Sequence, residues 1–390
     1  MAQRIAVGID VGTYQVRVVV ARFDDAERGL PKIIGTGYAE SKGLRHGYIV
    51  NIDDVTRSIE IAAAQAAKTA GIKVQSAFLA VGGIGLDELT SRGETVIARA
   101  DATVTDLDIE KALDAARVRA EARLVNRRIL HTVPLSYSLD GTEVLGRPQG
   151  LRGTKLAVDV LYVHCIEQHV ADLVDAVEAA NIAVVDVMAA PLAASIVALT
   201  PSEKKAGCVL ANIGAETVSV VVFDNGIPIS VKVFKIGSTD ITKDIALGLR
   251  ISLDEAEQLK LGAITHTTVS KKKLDDILSA RLTDIFELIG NHLKKIGRHQ
   301  LLPAGIILTG GGSGIGPVQG IATDALKLHS KLAPLSLAPD AKMRDASWMV
   351  AYGLTIWGLT GGDGVGRAQL RAAAHHMGSS MLSFFRQFLP

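Results

Sequence analysis

Cysteine, aromatic side chains and net charge are all scarce in this 390-residue sequence. The two cysteines, Cys165 and Cys208, lie in apolar runs without CxxC spacing, so we expect buried thiols in a reducing compartment. Aromatic residues make up 4% of the chain and the formal net charge is +1, which argues against a nucleic-acid partner. The first residues contain no apolar signal core, so secretion is not expected.

Long uninterrupted hydrophobic runs are also missing. The most apolar window, residues 182–199, contains Asp186 and Pro191, so we predict a buried strand followed by a helix rather than a membrane span. Apolar residues make up 48% of the chain and charged residues 21%, which is typical of a globular protein. The length predicts two or three domains of roughly 150 residues each.

The sequence does contain a regular succession of predicted strands and helices. The first third predicts the order β-β-β-α-β, in the segments Arg4–Asp10, Gln15–Phe23, Lys32–Ala39, Ile52–Ala70 and Ser76–Val81. A compact α+β insert is predicted next, with the segments Gly93–Ala98, Asp106–Leu124 and Arg127–Leu139. Pro134 in the last of these strands fits only at a sheet edge or a bulge.

The second half repeats the opening pattern of an apolar strand, a short turn and a returning strand. The predicted strands are Gly207–Ile213, Val218–Asp224, Ile227–Phe234 and Gly305–Leu308, and the predicted helical regions are Asp240–Leu261, Lys273–Gly297, Pro317–Leu328 and Ala346–Leu359. Hairpin turns thus occur twice, about 200 residues apart, at Asp10–Thr13 and at Gly214–Thr217. Such turns expose backbone N–H groups that bind phosphate. We therefore expect two similar α/β lobes that clasp a nucleotide.

Several motifs, in the same order, resemble those of the actin-like ATPases and, within them, the FtsA family of bacterial cell-division proteins. The motifs are Asp10–Thr13, His46–Ile52, Ser91–Gly93, Ile129–Pro134, Pro148–Gly153, Ile213–Thr217, Gly237–Ile245 and Leu308–Gly312. The resemblance covers essentially the whole chain. It implies an actin-like two-lobed fold, built from duplicated RNase-H-like subdomains with an FtsA-type α+β insertion.

The resemblance also implies a division into subdomains. These are 1A at residues 1–84, 160–195 and 345–362, the insert 1C at 85–159, 2A at 196–232 and 301–344, 2B at 233–300, a flexible linker at 363–378 and an amphipathic membrane-targeting helix at 379–390.

ATP and Mg²⁺ are the cofactors that the resemblance implies. The residues expected at the nucleotide are Asp10, Gly12, Thr13, Tyr14, Gln15, Asn212, Gly214, Ala215, Glu216, Thr217, Gly237, Glu257, Lys260, Gly310, Gly311, Gly312 and Ser313. Asp10 is expected to hold Mg²⁺ through water. Glu257 and Lys260 either flank the adenine and ribose or form a surface ion pair one helical turn apart.

The sequence departs from the family pattern at the nucleotide. Gln15 stands where the family usually has lysine, Asn212 where it has aspartate, and Ala215 and Glu216 where it has glycines. A positive φ at Ala215 would cost about 1 kcal/mol. The carboxylate of Glu216 should either point away from a phosphate or replace the missing carboxylate beside Mg²⁺. We therefore expect slow or absent ATP hydrolysis, so that the chain is at most a weak ATPase.

The last residues predict a one-sided helix after a glycine-rich linker. Its apolar and basic side chains are Met381, Leu382, Phe384, Phe385, Arg386, Phe388 and Leu389. Such a helix either lies in the membrane interface, as the ends of FtsA proteins do, or docks on the core of its own chain. One copy would bind lipid weakly, whereas a polymer would bind firmly through avidity.

The resemblance further implies partners and a location. The FtsZ C-terminal peptide is expected to bind subdomain 2B at Arg281, next to an apolar stripe of Leu282, Ile285 and Ile289. Self-polymerisation, contacts with other division proteins and a place on the cytoplasmic face of the membrane at the division site are also implied. The alternatives are a pilus-assembly adaptor similar to PilM and, less favoured, a sugar or acetate kinase on the same fold.

Overall fold

A computed structural model of the chain describes residues 4–23, 30–263, 270–334 and 346–360. The N-terminal segment folds into β1 (Arg4–Val11), β2 (Gln15–Phe23), β3 (Lys32–Glu40), β4 (Leu44–Arg45), β5 (Tyr48–Ile49), α1 (Ile52–Ala70) and β6 (Ser76–Val81). The predicted bounds of β2, α1 and β6 are confirmed. Helix α1 starts where the Asn51 side chain accepts the N–H groups of Asp53 and Asp54, and it ends at Gly71, whose φ is 68°.

The inserted segment forms an antiparallel sheet covered by one helix. Its elements are β7 (Asp87–Val96), α2 (Asp106–Glu121), β8 (Arg127–Leu139), β9 (Thr142–Val144) and β10 (Lys155–Ile166), and the strand order is β7-β10-β8-β9. The bulge expected at Pro134 is confirmed by a register shift between Pro134 and Ser136. Strand β7 begins at Asp87 rather than at Gly93, because its polar first residues contact the second lobe instead of showing an alternating pattern.

The chain then returns to the first sheet through α3 (Glu167–Ala179), β11 (Ala183–Ala189) and α4 (Ala190–Ala198). The apolar run at 182–199 is therefore a strand and a helix, as predicted. The first sheet has the order β11-β6-β1-β2-β3, in which β1, β6 and β11 are parallel. Within the described residues, no helix has both the length and the apolar character needed to cross a bilayer.

The second lobe has its own five-stranded sheet. Its elements are α5 (Pro201–Ala206), β12 (Cys208–Ile213), β13 (Val218–Asp224), β14 (Ile227–Phe234), α6 (Ser238–Leu249), α7 (Leu253–Lys260), α8 (Lys271–Lys295), β15 (Ile306–Thr309), α9 (Val318–Leu326) and β16 (Ser330–Leu332). The helical region predicted at 240–261 is present as two helices. It breaks between α6 and α7, where Arg250 has a φ of 58° and the Ser252 side chain caps α7.

The two sheets are built in the same way. The second has the order β14-β13-β12-β15-β16, so each sheet consists of three antiparallel strands followed by two parallel ones. A last helix, α10 (Met349–Thr360), crosses back and packs on β1, where a Cβ on Gly8 would lie 2.1 Å from the carbonyl oxygen of Ala351. Cys165 and Cys208 are both buried and unpaired, as the sequence predicts.

Candidate functional site

Most residues that the sequence places at a nucleotide lie together in a cleft of about 590 Å³ between the two lobes. This volume lies in the usual range for small-molecule sites, roughly 300–1,000 Å³. The predicted residues that line the cleft are Asp10, Gly12, Thr13, Tyr14, Gln15, Asn212, Gly214, Ala215, Thr217, Glu257, Lys260, Gly310 and Gly311. Four further predicted residues, Glu216, Gly237, Gly312 and Ser313, are not among the residues that line it.

Two equivalent hairpins, one from each lobe, contribute residues to the cleft wall. In the first, Asp10 pairs with Arg17 across β1 and β2, and in the second, Asn212 pairs with Ser219 across β12 and β13. Both turns begin with a glycine at the same distance from the pair, and a Cβ on either glycine would lie 2.9 Å from a carbonyl oxygen three residues later. The duplication inferred from the sequence is therefore present in the backbone itself.

The second turn carries no backbone strain at the two positions where the family has glycines. Neither Ala215 nor Glu216 has a positive φ, so the cost that a positive φ at Ala215 would carry does not arise. The turn is held by the start of α6, because the N–H groups of Ser238 and Thr239 donate to the carbonyls of Gly214 and Ala215 at 2.9 and 2.8 Å. Two carbonyl oxygens of this turn are thus directed at α6.

Gly237 supports this turn from behind. A Cβ at this position would lie 2.2 Å from the carbonyl oxygen of Ala215, so a side chain there would displace the turn. The backbone N–H of Gly237 donates to Asp240 Oδ2 at 3.0 Å, and this hydrogen bond completes the capping of α6. Gly237 therefore shapes the cleft without lining it.

The carboxylate of Glu216 points out of the cleft. It accepts the backbone N–H of His46, a residue of the first lobe. Of the two positions expected for this carboxylate, the structure shows the one directed away from the cleft. The position equivalent to Asp10 in the second hairpin is filled by the neutral amide of Asn212 alone.

Asp10 is the carboxylate of the first hairpin. Desolvation by the surrounding protein raises the pKa of Asp10 to about 6, although the nearby Arg17 guanidinium acts to lower it. Arg17 also lines the cleft and donates to the Gln15 side-chain oxygen at 2.9 Å. The cation that Gln15 does not supply is therefore present two residues further along the same strand.

Glu257 and Lys260 form an ion pair in which the lysine is buried and the carboxylate is about one-third exposed. The Lys260 side chain is only 5% exposed, and its ammonium donates to Glu257 Oε2 at 2.7 Å and to Thr242 Oγ1 at 3.0 Å. Thr242 in turn donates to Glu257 Oε2 at 2.6 Å. The cluster joins α6 to α7 at the cleft, so these polar groups hold fixed positions on its wall.

The glycine-rich turn after β15 approaches the second hairpin closely. Gly310 has a φ of 83°, and a Cβ there would lie 2.2 Å from Asn212 Oδ1. Ser313 lies behind the turn and donates to the carbonyl of Gly310 at 2.7 Å, while a Cβ on Gly312 would lie 2.4 Å from the Ile213 side chain. Only glycine fits at position 310, because both its conformation and its surroundings exclude a side chain.

Some lining residues were missed from the sequence. They include Gly47, Gly82, Gly83, Ser238, Thr239, Thr242 and Asp254. Gly82 and Gly83 follow the carboxyl end of β6, a parallel strand beside β1, and ligands of open α/β sheets bind at that edge. The position of these two glycines after a predicted strand could therefore have identified them as cleft residues from the sequence. The residues of α6 and α7 reach the cleft only through the packing of these helices.

Arg281, expected at a partner surface, is engaged within the protein. Its guanidinium contacts Asp244 at 2.6 and 3.1 Å and Asp284 at 3.3 Å, and the hydrogen bond with Asp244 raises the pKa of Arg281. The apolar stripe beside it, part of which is expected to be core, is core throughout, because Leu282, Ile285 and Ile289 are fully buried. The expected linker and the membrane helix, residues 363–390, lie outside the described residues.

Solved structures share this architecture. A chain of the PilM-PilN type IV pilus biogenesis complex is 18% identical, with a TM-score of 0.66 over 91% of this chain and 98% of that chain. MreB5 of Spiroplasma citri, solved bound to ADP, is 14% identical, with a TM-score of 0.51 over 92% of this chain and 97% of that chain. At these identities the likeness establishes the fold alone.

Sequence matches are more specific. The family profile "Cell division protein FtsA" matches residues 209–353, and the profile of the SHS2 domain inserted in FtsA matches residues 87–164. The Cell division protein FtsA of Neisseria meningitidis is 30% identical over 331 residues, which cover 79% of this chain and 78% of that protein. The Cell division protein FtsA of Pseudomonas aeruginosa is 29% identical over 379 residues, which cover 91% of this chain and 89% of that protein.

The repeated sheet order, the shared cleft and these structures define the chain as an actin-like protein. The insert between the two halves of the first lobe matches a domain described for one branch of that class. The chain belongs to the FtsA family of bacterial cell-division proteins.

Proposed function

We propose that the interlobe cleft binds ATP with Mg²⁺ and that the chain is a cell-division protein that polymerises on the membrane and tethers FtsZ to it. The observation that carries the nucleotide proposal is the pair of equivalent hairpin turns, which line one cleft from opposite lobes. Main-chain N–H groups of such turns form an anion-binding surface. MreB5, which has the same fold, was solved with ADP.

The residues of the cleft fit a Mg–nucleotide. Asp10 offers a carboxylate and Asn212 an amide oxygen, and oxygen ligands with retained water are what Mg²⁺ prefers. A bound hydrated cation would favour the ionised form of Asp10 against the desolvation that raises its pKa. When bound, Mg²⁺ supplies neutralisation of the phosphate charge. Arg17 adds a cation and Gln15 an amide donor on the same side of the cleft.

Hydrolysis in this cleft should be slow or absent. Glu216 is engaged with His46, Glu257 is bound by Lys260 and Thr242, and Ala190, which lines the cleft, has no group to orient water. We expect micromolar binding of a fluorescent ATP analogue in the presence of Mg²⁺ and little product release. A turnover near the enzyme median, about 10 s⁻¹, would contradict slow hydrolysis. Absence of any binding at millimolar nucleotide would contradict the nucleotide proposal itself.

The division role rests on family membership and on the apolar pattern at 379–390. Liposome co-sedimentation, with and without ATP, compares the full chain, a truncation before Met377 and the variant Phe384→Asp/Phe388→Asp. We expect only the full chain to pellet with lipid and to form membrane-bound filaments, because two charges abolish the apolar face. Equal behaviour of all three proteins would contradict the membrane tether and favour a docked terminal helix.

Binding of the FtsZ C-terminal peptide to the full chain tests the tether from its other end. Fluorescence anisotropy with a labelled peptide should give a saturable curve that weakens as salt is added, because the region around Arg281 is rich in lysine and arginine. A pilus-type adaptor would instead leave the FtsZ peptide unbound, which makes this measurement the test between the two actin-like functions.

A further inference from the structure

Besides the contacts of Asp87 and Glu88 with β14, the two lobes meet in a polar contact beside the cleft, between His46 and Glu216. The N–H of His46, in the loop before β5, donates to the carboxylate of Glu216 on the second hairpin turn. The His46 ring adds a second contact, with Nδ1 3.3 Å from the carbonyl oxygen of Glu216. His46 belongs to the first lobe and Glu216, 170 positions later, to the second, so this contact links the lobes directly.

The first-lobe side of the contact is held firmly. The carbonyl of His46 accepts the N–H of Ile84 at 3.2 Å. Next to it, Gly47 lies against Gly83 so closely that a Cβ on Gly47 would be 2.3 Å from the Gly83 Cα. Gly47 and Gly83 themselves line the cleft. A movement of His46 therefore moves part of the cleft wall.

The second-lobe side is held as well. Glu216 follows Ala215, whose carbonyl is bound by the start of α6, and its neighbours Ala215 and Thr217 line the cleft. The Glu216 side chain is about one-quarter exposed, so the carboxylate sits at the rim of the cleft with a backbone donor in front of it. The contact thus joins two walls of the same cleft at its phosphate-binding turn.

We propose that the His46–Glu216 contact is a latch that holds the lobes closed at the phosphate end of the cleft and slows release of the bound nucleotide. The proposal rests on the nucleotide function proposed above. In it, Glu216 is a positioning residue that acts on the lobe angle and does not touch the ligand. The latch also turns a negative charge away from the phosphates, toward a neutral N–H donor.

Dissociation kinetics test the latch in the full-length protein. Glu216→Ala removes the acceptor, and we expect the dissociation rate of a fluorescent ATP analogue to rise about 5- to 20-fold, as the loss of a charge-assisted hydrogen bond predicts. Glu216→Gln retains a neutral oxygen that accepts the His46 N–H but loses the charge, so its rate should lie between those of the wild type and Glu216→Ala. The control Glu287→Ala removes an exposed carboxylate of α8, outside the cleft lining, and should leave the rate unchanged.

The outcomes separate the latch from a simple charge effect. If repulsion by Glu216 were the dominant interaction, both variants at this position would release the analogue more slowly than the wild type, and the latch would be wrong. An unchanged rate in Glu216→Ala would also overturn it. Faster release in Glu216→Ala, with an intermediate rate in Glu216→Gln, is the result that supports the latch.

A second readout does not require nucleotide binding. Spin labels at Glu60→Cys on α1 and Gln319→Cys on α9 report the distance between the lobes, and the two native cysteines are buried and should not react. Without nucleotide, we expect Glu216→Ala to broaden this distance distribution and Glu216→Gln to broaden it less. Failure of the wild type to bind nucleotide would refute the proposed function alone, whereas an unaltered distribution in Glu216→Ala would refute the latch.

Discussion

Asp10 lies directly opposite Arg17 on neighbouring strands, at the point where the first hairpin enters the cleft. The equivalent pair in the second hairpin is Asn212 and Ser219, both neutral. The two hairpins have the same backbone arrangement but differ in charge. Among the hairpin residues that line the cleft, Asp10 and Arg17 of the first lobe supply the charged groups, whereas Asn212, Thr217 and Ser219 of the second supply amide and hydroxyl groups.

The first prediction concerns the cost of keeping Asp10 in the cleft. Asp10→Asn removes a group whose charged form is disfavoured by desolvation, so the nucleotide-free variant should be more stable than the wild type at pH 7 by about 1–3 kcal/mol. The same change should abolish Mg-dependent nucleotide binding. Urea denaturation and nucleotide titration of the two proteins provide the measurements. A variant that loses stability and keeps Mg-dependent binding would contradict the role given to Asp10.

The pH dependence of this effect has a definite sign. The pKa of Asp10 is raised above its unfolded value, from 3.8 to about 6, so its contribution to stability is fully present below pH 3.8 and is lost as the pH rises through 6. Between pH 7 and pH 5 the wild type should gain about 1 kcal/mol relative to Asp10→Asn. Denaturation curves of both proteins at four pH values in this interval check the slope.

The second prediction concerns His131, in the Ile129–Pro134 motif of β8. Its Nε2 accepts the buried N–H of Ala189, immediately before the cleft residue Ala190, and burial lowers the pKa of His131 to about 3. His131→Ala should destabilise the protein by about 2–4 kcal/mol, because it leaves a cavity and an unsatisfied donor. Urea denaturation at pH 7.5 measures the loss, and a change below 1 kcal/mol would contradict it.

The pH dependence at His131 has the opposite sign to that at Asp10. A depressed pKa contributes stability that is present above pH 6.5 and is lost as the pH falls toward 3. Between pH 7 and pH 5.5 the wild type should therefore lose about 1 kcal/mol relative to His131→Gln, which does not titrate. A constant difference between the two proteins over this interval would show that His131 is not held neutral.

The third prediction concerns the turn after β15. Gly310→Ala places a Cβ 2.2 Å from Asn212 Oδ1 at a residue with a φ of 83°, so we expect a loss of about 2–4 kcal/mol of stability and of nucleotide binding. Gly314→Ala is the matched control, since a Cβ there meets nothing within 4 Å and its φ is not positive. Its stability should stay within about 0.5 kcal/mol of the wild type. Thermal unfolding of the three proteins tests both statements.

The fourth prediction concerns Arg281 and its partner Asp244. If Arg281 binds the FtsZ peptide, the peptide must compete with Asp244 for the guanidinium. Asp244→Asn should therefore strengthen peptide binding about 2- to 5-fold, and Arg281→Ala should weaken it by a similar factor, while either change alters stability by no more than about 1 kcal/mol. Anisotropy titrations supply the affinities.

A second arginine–aspartate pair of the same lobe provides the control. Arg298, which follows the carboxyl end of α8, contacts Asp224 at 2.9 Å, and neither residue is a partner of Arg281. Arg298→Ala should leave peptide affinity unchanged, because Arg298 lies 17 residues after Arg281 and salt largely screens the effect of a charge outside the peptide contact. Equal weakening by Arg281→Ala and Arg298→Ala would indicate a diffuse basic surface instead of a defined contact.

The hairpins, α1 and the strand–helix alternation could be predicted from the sequence because local patterns determine them. Asn51 and Gly71 mark the two ends of α1, and Gly12 and Gly214 mark the two turns. Predictions failed where contacts distant in the chain decided the outcome. Strand β7 begins early because Asp87 contacts Lys232 of the other lobe, 145 positions away in the chain.

The features of the candidate site also fall into those that local sequence predicts and those that depend on long-range packing. The residue types at the two turns, the glycine-rich turn after β15 and the family could be read from the chain, because these are properties of short segments and of their order. The folded structure was needed to show that Glu216 faces His46, that Lys260 is buried against Thr242, and that the whole stripe beside Arg281 is core. Each of these depends on which surfaces pack together, and a long-range contact leaves no periodic signature in the residues that make it.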